Sequence, residues 1–399
     1  MQHEEAEAIE PIERRHDGEF PWHLGVFDVH NHVAERMQSL QDFPQMKSRA
    51  ICIMATRSQD QSLVSSIVAE YGLGQLSQLQ SAHDPTVVAG YGWHPWFSHE
   101  LYDDTLSDPT FNHSGSIDVA KTRHYQAVLV PPPEEALCVD FPTPLPLSEF
   151  ITATKARLSG DPIAIVGEIG LDRRFRVPMP WTADAQAVRD PARTPGGRER
   201  RPLSKHNITM AHQKAVLLAQ LTLAGEMGRP VSVHGVQVNG ILYDVLAGYW
   251  KGHELKGKRA QQKEARENGK TLGADTPGTV AKPFPPRICL HSFSGNADAV
   301  KQYLKPSIPA KIFFSFSRRH NFSSPEFTEK STDALRLVPD DRLLVESDLH
   351  VAGQIMDAEL EAVYRKICDI KGWSLEYGVA KIADNFVHFI FGEGTAART

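Results

Sequence analysis

The chain has 399 residues, with 43 Lys or Arg against 49 Asp or Glu, 41% hydrophobic residues and 23% charged ones. Such usage excludes a wholly disordered chain, and the length suits either two ordinary domains or one large α/β barrel with insertions. The formal charge of −6 argues against a surface that coats nucleic acid nonspecifically, yet leaves room for a locally basic site.

Residues 1–24 open with Glu4, Glu5, Glu7, Glu10 and Glu13 and have no apolar core of the kind a signal peptide needs, so they read as an acidic, flexible segment. Eight β-rich runs follow, at residues 25–29, 50–55, 86–91, 163–166, 230–233, 287–290, 311–316 and 342–345. They are nearly continuous Val, Ile, Leu and Phe rather than strict alternations, which predicts strands buried on both faces of a parallel sheet. Between them apolar residues recur at helical spacing: Leu63, Ile67 and Val68; Val216, Leu217, Leu221 and Ala224; Ile241, Val245 and Leu246; Leu360, Val363, Tyr364 and Ile367. Strand and helix alternating eight times predict a single (β/α)₈ TIM barrel over residues 25–392, with a doubly wound sheet as the competitor, and a short tail at 393–399.

Three insertions break this rhythm. Residues 96–146 and 173–206 run from strand to helix and so belong to the C-terminal face, where barrel active sites lie; residues 251–282 run from helix to strand on the opposite face and read as a solvated loop. Residues 173–206 carry nine Lys or Arg against three Asp or Glu, a net charge of +6 that leaves −12 on the rest of the chain. The most apolar helical stretch, near residues 215–224, is too short to span a bilayer, so no membrane association is expected. The four cysteines are dispersed with no C-x-x-C pair, which predicts neither a disulfide framework nor a thiolate zinc site and fits a reducing cytoplasmic or nuclear setting.

Metal-ligating residue types recur where the strands end. The first run closes on Asp28-Val29-His30-Asn31-His32, and alternate residues of a strand share a face, so His30 and His32 can point together. The fourth ends in Gly167-Glu168-Ile169-Gly170-Leu171-Asp172, the fifth in His234, the sixth in His291 and the eighth in Glu346-Ser347-Asp348. One terminal histidine is usually structural; five strands ending this way form a far stronger pattern. Four histidines and two carboxylates suit Zn, Mn, Co or Fe, with Mg also workable. Six ligands are too many for one catalytic ion with an open position and suit two divalent ions sharing a carboxylate, for which Glu168 stands between the histidine sets.

These segments, together with Gly92-Trp93-His94-Pro95, His291-Ser292-Phe293-Ser294-Gly295 and the closing Ala383-Asp384-Asn385-Phe386, resemble the TatD-like metal-dependent hydrolases, in a fungal-type branch with long insertions. The resemblance implies a TIM barrel that hydrolyses phosphodiester bonds, in this family usually of DNA. It implies that His30, His32, Glu168 and Asp348 hold one ion and that Glu168, His234 and His291 hold the second. Asp348 would also orient and deprotonate the attacking water, and His94 would contact substrate phosphate.

The chain departs from the family pattern in the residues around these ligands. An Arg usually stands two positions after the fifth-strand histidine, where this chain has Val236, and Arg173 replaces the usual aromatic after Leu171-Asp172. Arg173, Arg318 and Arg319 are therefore candidate phosphate contacts. Two other functions compete: hydrolysis of a non-nucleic-acid ester or amide on the same barrel, and a metal-binding scaffold that meets protein partners through the insertions. A carboxylated-lysine bridge of the dihydroorotase type would need Lys where Glu168 stands.

Overall fold

A computed structural model describes residues 18–81, 84–112, 115–257 and 283–392. Most of the acidic N-terminal segment, residues 258–282 of the third insertion and the tail at 393–399 lie outside the described residues. Eight parallel strands appear in the expected order: β1 Phe27–Asn31, β2 Ala50–Met54, β3 Thr86–Gly90, β4 Val166–Asp172, β5 Val231–Val236, β6 Arg287–Leu290, β7 Lys311–Phe316 and β8 Leu343–Val345. They form a three-stranded sheet β1-β2-β3 and a five-stranded sheet β4-β5-β6-β7-β8. Every residue of β1 to β4 is buried, as strands covered on both faces must be. The arrangement is a TIM-barrel-like α/β fold.

Backbone hydrogen bonds join the two sheets along both seams. At one, Ile165 donates to Ala89 (2.8 Å) and Tyr91 to Ile165 (3.0 Å); at the other, His32 donates to Leu349 (2.7 Å) and Asp348 to His30 (3.1 Å). The apolar helix Leu375–Phe391 covers the end of the sheets where the strands begin: Phe386 stacks on Phe27 at 4.4 Å and Phe389 meets Phe313 edge-on at 5.5 Å. Functional residues are thereby confined to the other end.

Two boundaries differ from expectation. The fourth strand spans Val166–Asp172 rather than ending at Val166, because Gly170 pairs with His234 and a Cβ there would stand 2.1 Å from the His234 carbonyl oxygen. Gly170 also has φ of +154°, a conformation that favours glycine. The N-terminal segment, expected to be flexible through residue 24, is packed from Phe20 onward, whose ring meets Trp22 at 4.8 Å and Tyr364 at 6.0 Å. An aromatic pair next to an apolar helix gains more by burial than the short segment loses in freedom.

The second insertion is tied down beside β1. Arg57, fully buried at the end of the β2 loop, pairs with both oxygens of Glu35 and donates to the carbonyls of Pro195 (3.0 Å) and Thr194 (3.2 Å). Thr194 N–H donates to the Glu35 carbonyl at 3.0 Å, and Arg36 pairs with Asp190 at 2.8 Å. The insertion therefore walls the side of the molecule from which His32 projects.

Removing one member of a buried ion pair strands the other, at about 3–5 kcal/mol. Arg57→Met is expected to lower Tm and to speed proteolysis within residues 189–201; an unchanged Tm contradicts the anchoring role. Nearby Glu100 is buried, and burial pushes its carboxyl up from 4.5 to about 7, against the pull of Arg57 and Arg201. Between those values the unfolded chain ionises while the folded one keeps the proton, so stability falls as pH rises through that window. The Tm advantage of Glu100→Gln should be absent at pH 4, grow up to pH 7 and then level off. An advantage independent of pH contradicts this.

Candidate metal centre

The ends of β1, β4, β5, β6 and β8 converge on one carboxylate. Glu168 is 2% exposed and its two oxygens face different partners. Oε2 lies 3.4 Å from both His30 Nε2 and His32 Nε2. Oε1 lies 2.8 Å from His291 Nε2, 2.9 Å from His234 Nδ1 and 3.1 Å from His94 Nε2. Asp348 joins the first set, its Oδ1 3.2 Å from His32 Nε2 and 3.9 Å from His30 Nε2. All six residues expected as ligands are thus brought together, with Glu168 in the middle. Asp348 sits in the left-handed backbone region (φ +55°), which an Asp tolerates better than most residues, and its N–H is bonded to the His30 carbonyl.

The outward nitrogens of the histidines decide which of them suit a cation. His30 Nδ1 faces the Ser232 hydroxyl at 2.8 Å, His234 Nε2 faces Asp172 at 3.1 Å and His291 Nδ1 faces Glu346 at 3.3 Å. Asp172 and Glu346 accept, so His234 Nε2 and His291 Nδ1 carry their hydrogens outward and the lone pair of the neutral ring points inward, as a metal ligand requires. His94 is the opposite case. Its Nδ1 accepts from the Trp96 N–H at 3.1 Å, so the neutral ring has its hydrogen on Nε2 and donates to Glu168. Burial holds His94 down at about 4, which keeps it neutral. His94, expected from the resemblance to contact phosphate, is here a hydrogen-bond donor that orients Glu168.

The electrostatics follow from this crowding. Burial works against ionisation of Glu168, but the imidazoles packed around it, His94, His291 and His30, and a hydrogen bond from His234 hold its carboxyl well below the usual range. Asp348 is likewise held low despite burial, by hydrogen bonds from His32 and His320. For His32 and His234 burial is the largest effect and favours the neutral ring. It is outweighed by the adjacent carboxylates, Asp348 and Glu168 for one and Asp172 and Glu168 for the other, and both are raised to about 9. Two permanent anions among buried imidazoles are a donor set that fits divalent cations of the Zn or Mn type. Three groups of such residues bring their ligand atoms within 4.8 Å of one another: His30, His32 and Asp348; His94, Glu168 and His234; His30, His291 and Glu346.

The expected basic contacts fare differently. Arg318 is paired with Glu359 at 3.3 Å and so faces the helix Gln354–Lys371. Arg319 and Arg173 are exposed, and neither is seen to contact the centre. Within the second insertion Arg189 pairs with Glu199 at 2.7 Å, while Arg201 donates to the carbonyls of Met179 and Gly197. Arg189 and Arg201 are therefore engaged inside the loop, while Arg173, Arg174, Arg176, Arg200 and Lys205 are exposed. The basic residue of the Arg318-Arg319-His320 run that reaches the centre is His320, whose Nε2 lies 2.9 Å from Asp348 Oδ2.

A family model described as TatD related DNase matches residues 27–391. The chain belongs to the TatD related DNase family. A relative named Cut9-interacting protein scn1, from Schizosaccharomyces pombe, is 34% identical over 369 residues, covering 92% of this chain and 98% of the relative. An uncharacterized deoxyribonuclease from Saccharomyces cerevisiae is 29% identical over 271 residues, 66% of each chain. The crystal structure of an uncharacterized amidohydrolase from S. cerevisiae superposes with a TM-score of 0.51 at 12% identity, covering 92% of this chain and 99% of that one, and shares the fold. As a TatD related DNase family member the chain is a metal-dependent hydrolase acting on phosphodiester bonds. No helix among the described residues is long and apolar enough to cross a membrane.

Several residues around the centre have no role that the sequence assigns. Asp172 and Glu346 orient His234 and His291, and the Ser292 and Ser315 hydroxyls donate to Glu346 in turn. Glu346 stands two residues before Asp348, so the alternation that pairs His30 with His32 could have suggested it. Ser232 carries no such signal, because its partner His30 is 202 residues away in the sequence. Orienting carboxylates typically contribute 10- to 100-fold to metal affinity, so Asp172→Asn should weaken cation binding by about that factor. Calorimetric titration with Mn or Zn checks it; native affinity in the variant contradicts Asp172's role.

Proposed function

We propose that the chain is a deoxyribonuclease with a dinuclear metal centre bridged by Glu168. The observation that carries this reading is the division of ligands between the two oxygens of Glu168: His30, His32 and the nearby Asp348 on one side, His234 and His291 on the other. Bound divalent ions would supply Lewis acidity, making water a nucleophile near neutral pH and offsetting charge on the phosphate oxygens. The residues themselves orient and exchange protons. Asp348, kept ionised and 10% exposed at the side chain, is placed to accept the proton of the attacking water. His320, on the exposed side of Asp348, fixes the direction in which that carboxylate presents its oxygens. His94, Asp172 and Glu346 hold the ligand array in place from behind.

The seam hydrogen bonds between β3 and β4 and between β1 and the end of β8 support a closed (β/α)₈ barrel over residues 25–392. The four cysteines are buried and unpaired among themselves, which supports a reducing cytoplasmic or nuclear compartment. The name of the S. pombe relative supports protein binding alongside hydrolysis.

A positioned general base contributes about 10²–10⁴-fold to rate. Asp348→Asn is expected to cut turnover of DNA by at least that factor, in the presence of Mg, Mn or Zn tested separately, while Tm stays near the native value. Full activity in the variant contradicts the assignment of Asp348. Native protein that cuts a non-nucleic ester but no DNA contradicts the substrate.

A further inference from the structure

The helix Pro95–Glu100 buries Pro95, Phe97, Ser98, His99 and Glu100 but leaves Trp96 38% exposed. This exposed indole is nevertheless held at three places. Its Nε1–H donates to Asp172 Oδ2 at 2.6 Å, its ring stacks on Phe175 with centroids 4.7 Å apart and 8° between planes, and it meets His94 edge-on at 4.8 Å. His234 lies 6.0 Å from it, also edge-on. The polar atom of the indole is already bonded, so the surface left open is aromatic carbon. That surface stands beside His234 and beside Asp172, which orients it, on a loop from the first insertion backed by a residue of the second.

Packing alone does not account for this placement. A tryptophan that served only the core would be buried, as Trp93 three residues earlier is, at 2% exposed. A rigid aromatic surface at the mouth of a phosphodiester-cleaving centre matches the one part of a nucleic acid strand that phosphate-directed groups do not engage. Bases stack on aromatic side chains irrespective of sequence, and only an unpaired base offers its face. The usual family aromatic after Leu171-Asp172 is Arg173 here, and Phe175 and Trp96 bring aromatic rings to the same rim from other positions.

We propose that Trp96, backed by Phe175, is the platform on which an unpaired base next to the scissile phosphodiester stacks, so that single strands and frayed ends are preferred to intact duplex. This rests on the phosphodiesterase reading above. Stacking on one aromatic side chain corresponds to roughly 5- to 140-fold in binding or kcat/KM. The test is the ratio of kcat/KM, with manganese present, for a single-stranded oligonucleotide and for the same strand with an abasic site beside the cleaved bond. The native chain, Trp96→Phe and Trp96→Leu are compared. The native ratio should fall in that range, Trp96→Phe should keep most of it, and Trp96→Leu should bring it close to one.

Trp96→Phe keeps an aromatic face and loses the bond to Asp172, so it separates stacking from support of His234. If both variants lose activity equally on the two strands, the indole only positions Asp172 and the platform is wrong. If the native ratio is already near one, the platform is wrong while the phosphodiesterase reading stands. If the native chain cuts neither strand, both fall together.

Discussion

A single buried carboxylate organises this protein. Five imidazoles lie within 3.4 Å of Glu168, contributed by β1, the β3 loop, β5 and β6. An isolated carboxylate at such depth would take up a proton. The surrounding rings keep it charged, and the groups behind them orient those rings: Asp172 and Glu346 accept from His234 and His291, whereas the Trp96 N–H turns His94 into a donor. The fold exists, from the functional point of view, to bring these strand ends to one point. That is why β4 runs on to Asp172 and why a glycine stands where β4 meets His234.

The arrangement separates groups that would hold cations from groups that tune them. His30, His32, His234 and His291 face the carboxylates with free lone pairs or raised basicity, while Asp172, Glu346 and His94 act from behind. Asp348 belongs to both categories. It faces His32 inside and His320 outside, and its partly exposed position is what a proton acceptor for water requires. The insertions complete the mouth: the first brings Trp96 and the second brings Phe175, while Arg57 clamps the far end of the second against Glu35.

Much of this was legible in the sequence because the chemistry coincides with local pattern. Continuous apolar runs ending in His, Glu or Asp revealed both the strands and the side chains that gather around Glu168, and the two-residue periodicity of β1 placed His30 and His32 together. What escaped was whatever depends on contacts between distant segments. The partners of Asp172 and Glu346 are 62 and 55 residues away, so nothing local distinguishes them from surface acids. Charge counting does not separate paired from open residues: within the basic stretch 173–206 Arg189 and Arg201 are engaged inside the loop, and Arg318 turns to Glu359. A sequence counts charges without showing which are already paired. Nor does it show that Trp96, adjacent to a buried helix turn, remains exposed.

The division of ligands across Glu168 is most directly tested by anomalous diffraction from crystals of the chain soaked in manganese. Two peaks are expected, one on the His30, His32 and Asp348 side of the carboxylate and one on the His234 and His291 side, roughly 3.5–4 Å apart. A single peak at saturating manganese, or two peaks on the same side of Glu168, would contradict the bridged centre.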